Sequence, residues 1–194
     1  MISVIIPFYN EAESLPTLIK HLIEVCKKIS KEYEIVLVDD GSTDAYASKL
    51  KAKSEKLKII LHKKRLGKGE ALNTGIKNAK GDIIVFMDAD LQDDPEDLPK
   101  FLNKLEEGYD FVNGVRLGRK DNLMIKMYSL SAKYFLRLFL NSPYRDINCG
   151  FKVFKREVLS EFYFYGNNFR FFPLAVYYNG FKVAEVEVKN NPRR

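Results

Sequence analysis

Apolar residues in this chain come in two rhythms. Runs of about five residues, Ser3–Pro7, Glu34–Val38, Leu57–Leu61, Ile83–Met87 and Tyr109–Asn113, are dense in Ile, Val, Leu and Phe. Short β-rich runs bounded by turn residues are strands, and near-continuous apolarity marks strands covered on both faces. Between them the period lengthens. From Glu13 to about Lys31, Leu15, Leu18, Ile19, Leu22, Ile23, Cys26 and Ile29 recur at helical spacing, with Ser14 as a candidate cap ahead of Pro16. Residues 43–54 and 69–79 read as further helices, and Glu96–Glu107 as another, closed by Gly108. Phe181–Val188 alternates as a last strand. Strands and helices in alternation imply an α/β fold, a mainly parallel sheet with helices on both faces.

The segment Asn122–Leu140 fits neither rhythm. It is nearly all apolar, and at 100° per residue Lys126, Lys133 and Arg137 fall within about 40° of one another. Such a helix lies in a membrane interface with its cations toward anionic head groups, or packs in a core with three snorkelling cations. Both readings stay open from pattern alone, whereas three charges argue against a transmembrane span.

With 194 residues, 46% of them apolar and 30% charged, the composition is globular and the length suits one domain, residues 1–194. Cys26 and Cys149 lack metal-type spacing and read as free thiols of a reducing compartment, hence the cytoplasm. The strand pattern begins at Ile2 and leaves no room for an export signal before it. The net charge of +6 is concentrated between Lys49 and Lys68, where nine Lys or Arg face a single acid, Glu55. Most of these are a solvated helix face, and no nucleic-acid module accompanies them, so nucleic acid is not an expected partner. Lys68 differs, because Gly67-Lys68-Gly69 sits at a strand-to-helix turn where N–H groups and a cation can meet phosphate.

The candidate chemistry lies where the strands end. Ile83–Met87 runs into Asp88-Ala89-Asp90, followed by Leu91-Gln92-Asp93-Asp94-Pro95. Two carboxylates one residue apart offer hard oxygen ligands to Mg²⁺ or Mn²⁺, or else form an acidic loop capping the helix that begins near Pro95. Glu34–Val38 ends likewise in Asp39-Asp40-Gly41-Ser42-Thr43-Asp44, and Ser3–Pro7 in Phe8-Tyr9-Asn10-Glu11. Open α/β sheets bind ligands at the carboxyl ends of their strands, so three polar strand ends together point to one crevice.

The order SVIIPFYNE, IVLVDDGSTD, GKGEALNTGI, GDIIVFMDADLQDDP and RDINCGFKVFKRE resembles family 2 glycosyltransferases of the GT-A (Rossmann-like) fold. Within them it is most similar to the polyprenyl-phosphate glycosyltransferases, the dolichyl-phosphate mannose synthases and their undecaprenyl-phosphate relatives. The resemblance implies inverting, metal-dependent transfer of a hexose from a UDP- or GDP-sugar to a polyprenyl phosphate at the inner face of the membrane. It implies that Pro7, Tyr9, Glu11, Asp39, Lys68 and Asp88 bind the nucleotide sugar, and that Asp90 and Gln92, with Asp88, hold Mg²⁺ or Mn²⁺. Arg116, Arg119, Lys152 and Arg193 would grip the acceptor phosphate, with Asp90, Arg116 and Asp146 as the catalytic residues. The 122–140 helix would dock peripherally on the bilayer, its apolar surface facing lipid or a second copy of the chain. Asp40 reads as a turn residue, Asp93 and Asp94 as helix caps, and His21 and His62 as structural.

Two other functions stay open. One keeps the fold and donor but uses a hydroxyl acceptor, with Asp146 or Asp94 as the base it would need. The other is a nucleotide-binding module with little turnover, because the family's Gly-x-Ser-Lys loop is not found after Asn191-Pro192-Arg193-Arg194.

Overall fold

The computed structural model describes residues 1–29, 32–44, 55–116, 141–160 and 162–192. The interface helix expected at 122–140, the expected helix beyond residue 44, Arg119 and Arg193 lie outside these. The strands are β1 (Ile2–Phe8), β2 (Tyr33–Asp39), β3 (Leu57–Leu61), β4 (Ile83–Phe86), β5 (Phe111–Arg116), β6 (Lys152–Lys155) and β7 (Val183–Val188). The helices are α1 (Leu15–Ile29), α2 (Lys68–Asn78), α3 (Leu98–Glu106) and α4 (Phe172–Tyr178).

All seven strands form one sheet in the order β3-β2-β1-β4-β6-β5-β7. β1 is parallel to β2 and β4, β2 to β3, and β5 to β7, whereas β6 runs antiparallel to both β4 and β5. The mainly parallel sheet expected from the sequence is present, with one reversed strand that was not expected. β6 has only four residues and begins and ends in lysine, so no apolar run announces it. α4 was also missed: it is seven residues of aromatic-rich sequence, FPLAVYY, with no polar face to reveal a period. The fifth strand begins at Phe111 rather than Tyr109, because Tyr109 N–H still bonds the Lys104 carbonyl in the turn by which Gly108, at φ 96°, closes α3.

Successive residues of the central strands serve opposite faces, as a two-residue period requires. Val4, Ile6, Ile35, Leu37 and Val85 pack in one core with α1 and α3 residues such as Leu18, Leu22, Leu98 and Phe101. Ile5, Val36, Val38, Ile84 and Phe86 pack in the other with Ala71 and Leu72 of α2 and Phe172 and Val176 of α4. The chain passes from β1 to β2 by way of α1 on one face, and from β3 to β4 by way of α2 on the other. The strand order therefore reverses between β1 and β4, where an α/β sheet opens a crevice at the carboxyl ends.

Candidate active site

Register places the polar strand ends at this crevice. Phe8 pairs with Asp39 and Ile5 with Phe86, so Tyr9, Asp40 and Asp88 leave the sheet along one edge. The loops after β1 and β2 are stitched together: Asn10 N–H donates to Ser42 Oγ at 2.9 Å, and Thr43 N–H to Asn10 Oδ1 at 2.8 Å. Two cavities open here, of about 340 and 320 Å³, sharing Pro7, Lys68 and Asp88. The smaller holds Tyr9, Glu11, Asp40, Arg65 and Asp90, and the larger Arg116, Asn148, Lys152, Phe169 and Arg170.

Asp88 is the junction of the two cavities. Lys68, the first residue of α2, forms an ion pair with its carboxylate. Burial alone would raise the Asp88 pKa, but Lys68, Lys152 and Arg116 together hold it below the usual carboxylate range. A Cβ on Gly150 would stand 2.5 Å from an Asp88 carboxylate oxygen, so the 146–150 loop closes over Asp88 only because glycine occupies that position.

Asp40 explains how Lys68 is aimed. Buried at 4% exposure, it accepts the N–H groups of Leu66 and Gly67, both at 2.8 Å, and faces His62 Nδ1 at 3.1 Å. His62 Nε2 lies 2.9 Å from Thr74 Oγ1 of α2. The expected turn residue Asp40 and structural residue His62 thus fix the start of α2. Asp39 is buried, with its Oδ1 accepting Ser42 N–H at 2.8 Å.

On the opposite wall, Arg116 at the end of β5 makes a two-point pair with Asp146, Nε to Oδ2 at 2.8 Å and Nη2 to Oδ1 at 3.1 Å. Burial disfavours charge on Asp146, but Arg116 outweighs it and lowers its pKa, while the same pair raises that of Arg116. Lys152, expected at an acceptor phosphate, lines the larger cavity but is buried and donates to the carbonyls of Ile147 and Cys149. Burial lowers its pKa.

Asp93 corrects the sequence reading. Asp94 is the cap, its Oδ1 accepting Glu96 N–H at 3.1 Å. Asp93 instead turns inward to 4% exposure, with Cys149 Sγ 4.0 Å away. Burial, reinforced by Asp88 and Asp90, pushes its pKa up to about 7, against the opposing pull of Arg116 and Lys152. Nothing local in DD-P tells which carboxylate faces the core. Arg65, stacked 4.2 Å from the Tyr9 ring centroid, and Phe169 with Arg170 were also not anticipated, because they reach the cavities through tertiary packing alone.

The donor set suits a divalent cation. Asp88 and Asp90 line the same cavity, and Gln92 follows with its N–H bonded to Asp90 Oδ1 at 3.1 Å. Among the described residues no group of three or more His, Cys, Asp or Glu is placed to hold a metal. Two carboxylates are the usual complement for Mg²⁺ that completes its shell with water and substrate phosphates.

Comparison with known proteins agrees with this geometry. The chain is 35% identical over 196 residues to undecaprenyl-phosphate 4-deoxy-4-formamido-L-arabinose transferase of Pectobacterium atrosepticum, covering 99% of this chain and 60% of that protein. The protein of the same name from Serratia proteamaculans is 32% identical over the same shares. The chain therefore spans about 60% of the length of the curated relatives it matches. Among solved structures, glucosyl-3-phosphoglycerate synthase of Mycobacterium tuberculosis, crystallised with Mn²⁺ and UDP-glucose, superposes with a TM-score of 0.78 at 23% identity over 100% of this chain and 71% of that one. Mannosyl-3-phosphoglycerate synthase of Rubrobacter xylanophilus gives 0.80 at 19% identity, over 100% and 68%. These likenesses establish the GT-A fold expected from the sequence. The family model of Glycosyl transferase family 2 matches residues 3–163, and the chain belongs to that family.

Proposed function

We propose that this chain transfers a sugar from a nucleoside diphosphate sugar, UDP-linked in the first instance, to a polyprenyl phosphate at the cytoplasmic face of a membrane. The observation that carries the reading is the division of the crevice. Of the two cavities Asp90 lines only the smaller and Arg116 and Arg170 only the larger, while the paired Lys68 and Asp88 stand at their junction. The carboxylates suit a metal-bound diphosphate, and Arg116 with Arg170 suits a second, anionic substrate.

In this reading Asp90, with Asp88 and Gln92, would hold Mg²⁺ or Mn²⁺, which when bound supplies positive charge to the departing diphosphate. Lys68 adds a fixed cation at the same place, positioned beforehand by Asp40. Pro7, Tyr9 and Glu11 line the nucleotide side, and Asp39 shapes the β2 loop behind them. Arg116 is held in one orientation by Asp146, so a phosphate acceptor meets an aligned guanidinium. Arg119 and Arg193 remain assigned to that acceptor by resemblance only.

A phosphate acceptor is already anionic and needs no general base. That agrees with the two carboxylates a hydroxyl acceptor would have called on. Asp146 is engaged by Arg116, while Asp94 caps the Pro95–Asp97 turn and lies 3.7 Å from Lys189. The named relatives also support a lipid acceptor, since their names specify undecaprenyl phosphate. Those names specify a formamido-pentose too, so the donor screen spans UDP-pentoses as well as hexoses. Among the described residues no helix is long and apolar enough to cross a membrane.

Calorimetric titration with UDP and GDP, with and without Mn²⁺, tests the donor site. Metal-dependent binding of one nucleotide is expected, and Asp90→Ala should weaken it about 100-fold or more while the circular dichroism spectrum is unchanged. Undiminished binding by Asp90→Ala would overturn the metal assignment. With the donor fixed, transfer of label into an organic-extractable product distinguishes lipid from soluble acceptors.

A further inference from the structure

The segment from Phe162 to Phe171, between β6 and α4, carries six aromatic residues, and they divide by exposure. Phe164 is buried, packed edge-on against Phe86 and Phe172. Tyr163, Tyr165 and Phe171 stand in solvent at 62%, 69% and 55% exposure. Leaving large apolar rings in water forgoes roughly 1.5–3 kcal/mol each relative to burial, so three in one short segment call for an explanation.

The segment is not simply loose. The Asn73 side chain of α2 clamps Phe164, accepting its N–H at 3.0 Å and donating to its carbonyl at 2.5 Å. Asn168 accepts Tyr165 N–H at 2.9 Å and donates to the Tyr163 carbonyl at 3.1 Å. The Tyr163 hydroxyl bonds Glu70 at 3.0 Å. A bonded frame therefore holds the rings outward.

The same segment forms the rim of the larger cavity. Phe169 and Arg170 line it together with Arg116 and Lys152, and Lys68 Nζ lies 5.2 Å from the Phe169 ring centroid. Exposed aromatic rings around an exposed arginine match a bilayer interface, where rings sit at head-group depth and the cation meets lipid phosphate. A self-paired contact with a second copy fits less well, because two-fold symmetry would bring both Arg170 side chains into one interface.

We propose that the Tyr163–Phe171 rim docks on an anionic lipid surface and so opens the larger cavity toward the bilayer. The lipid acceptor of the preceding subsection is the reading on which this rests. Docking would deliver a membrane-held phosphate to Arg116 without the lipid leaving the interface.

The chain contains no tryptophan, so a single introduced indole reports one place. Tyr165→Trp and, as control, Tyr178→Trp at the far end of α4 are mixed with vesicles of phosphatidylglycerol or phosphatidylcholine, with and without brominated acyl chains. Y165W emission should shift to the blue and be quenched by bromine on phosphatidylglycerol, while Y178W stays unchanged. Replacing both Tyr165 and Phe171 by Ser should weaken vesicle binding about tenfold. Unmoved Y165W emission overturns the proposal, whether the protein sediments with vesicles or not. A blue shift that grows with protein concentration in the absence of lipid also overturns it, in favour of a second copy. Failure of the lipid-acceptor reading would register separately, as no label transferred into an organic-extractable product.

Discussion

Asp93 and Asp94 adjoin in sequence and differ in chemistry because only one of them keeps its water. Asp94 accepts a helix-capping N–H, whereas Asp93 is enclosed beside Cys149, and its pKa rises to about 7. Below the unfolded value of roughly 3.9, both folded and unfolded chains hold this proton and folding is favoured in full. As pH climbs toward 7 the unfolded chain ionises first, so stability drains away through that window and levels off above it. Three pKa units correspond to a loss on the order of 4 kcal/mol. Asp93→Asn removes the titration. With divalent cations chelated, its melting temperature should exceed that of the unsubstituted protein at pH 8 and approach it at pH 4, as read by scanning calorimetry. A variant less stable at pH 8 would mean that the carboxylate is wanted charged there. Cys149 follows the same physics: burial and Asp93 raise its thiol to about 12, which leaves it a packing residue at neutral pH.

Among the elements, α2 links fold to chemistry. Asp40 and His62 set its first turn, Lys68 at that turn meets Asp88, and Gly75 lets its middle settle on β1, where a Cβ would overlap the Ile5 side chain. Gly75→Val should push the helix off the sheet, lowering stability to urea by about 1–3 kcal/mol and weakening UDP binding with it. Gly75→Ala should do less of both. If stability fell while UDP binding held, the placement of Lys68 would not depend on helix seating. The same elements show what the sequence discloses. β1, β2 and β4 were legible because strands covered on both faces leave unbroken apolar runs, and their carboxyl ends marked the crevice. β6 and α4 were not, being too short to complete a period, and the rim residues Phe169 and Arg170 reach the cavity through tertiary packing that no local pattern announces. Arg116 and Asp146 were each anticipated at the site, but their mutual pairing spans 30 positions and is written in no local pattern.

At the scale of the molecule, the sheet closes back on its own acidic loop. β7 lies at the sheet edge beside β5, yet the residues just after it cross to the segment that follows β4. Lys189 N–H donates to Asp97 Oδ2 at 2.8 Å, Asn190 forms a backbone bridge with Asp93, and Asn191 N–H donates to the Gln92 carbonyl at 2.9 Å. Gln92 and Asp93 are thereby held from outside their own loop, and Asp90 lies two residues before the first of these ties. A chain ended after Val188 keeps all six residues of β7 in register with β5, so the sheet should persist. The acidic loop would lose the Asn190 bridge with its Asn191 N–H bond to Gln92, and Asp97 the N–H of Lys189, each hydrogen bond worth about 0.5–1.5 kcal/mol. We expect far-UV circular dichroism close to that of the full chain, a lower melting temperature, and metal-dependent UDP affinity reduced about tenfold or more. Melting lowered with affinity intact would make the tie structural only. Affinity lost with Asp90, Asp88 and Lys68 all present would mean that the carboxylates at β4 need the residues that follow the edge strand, Lys189 to Asn191, to hold their geometry.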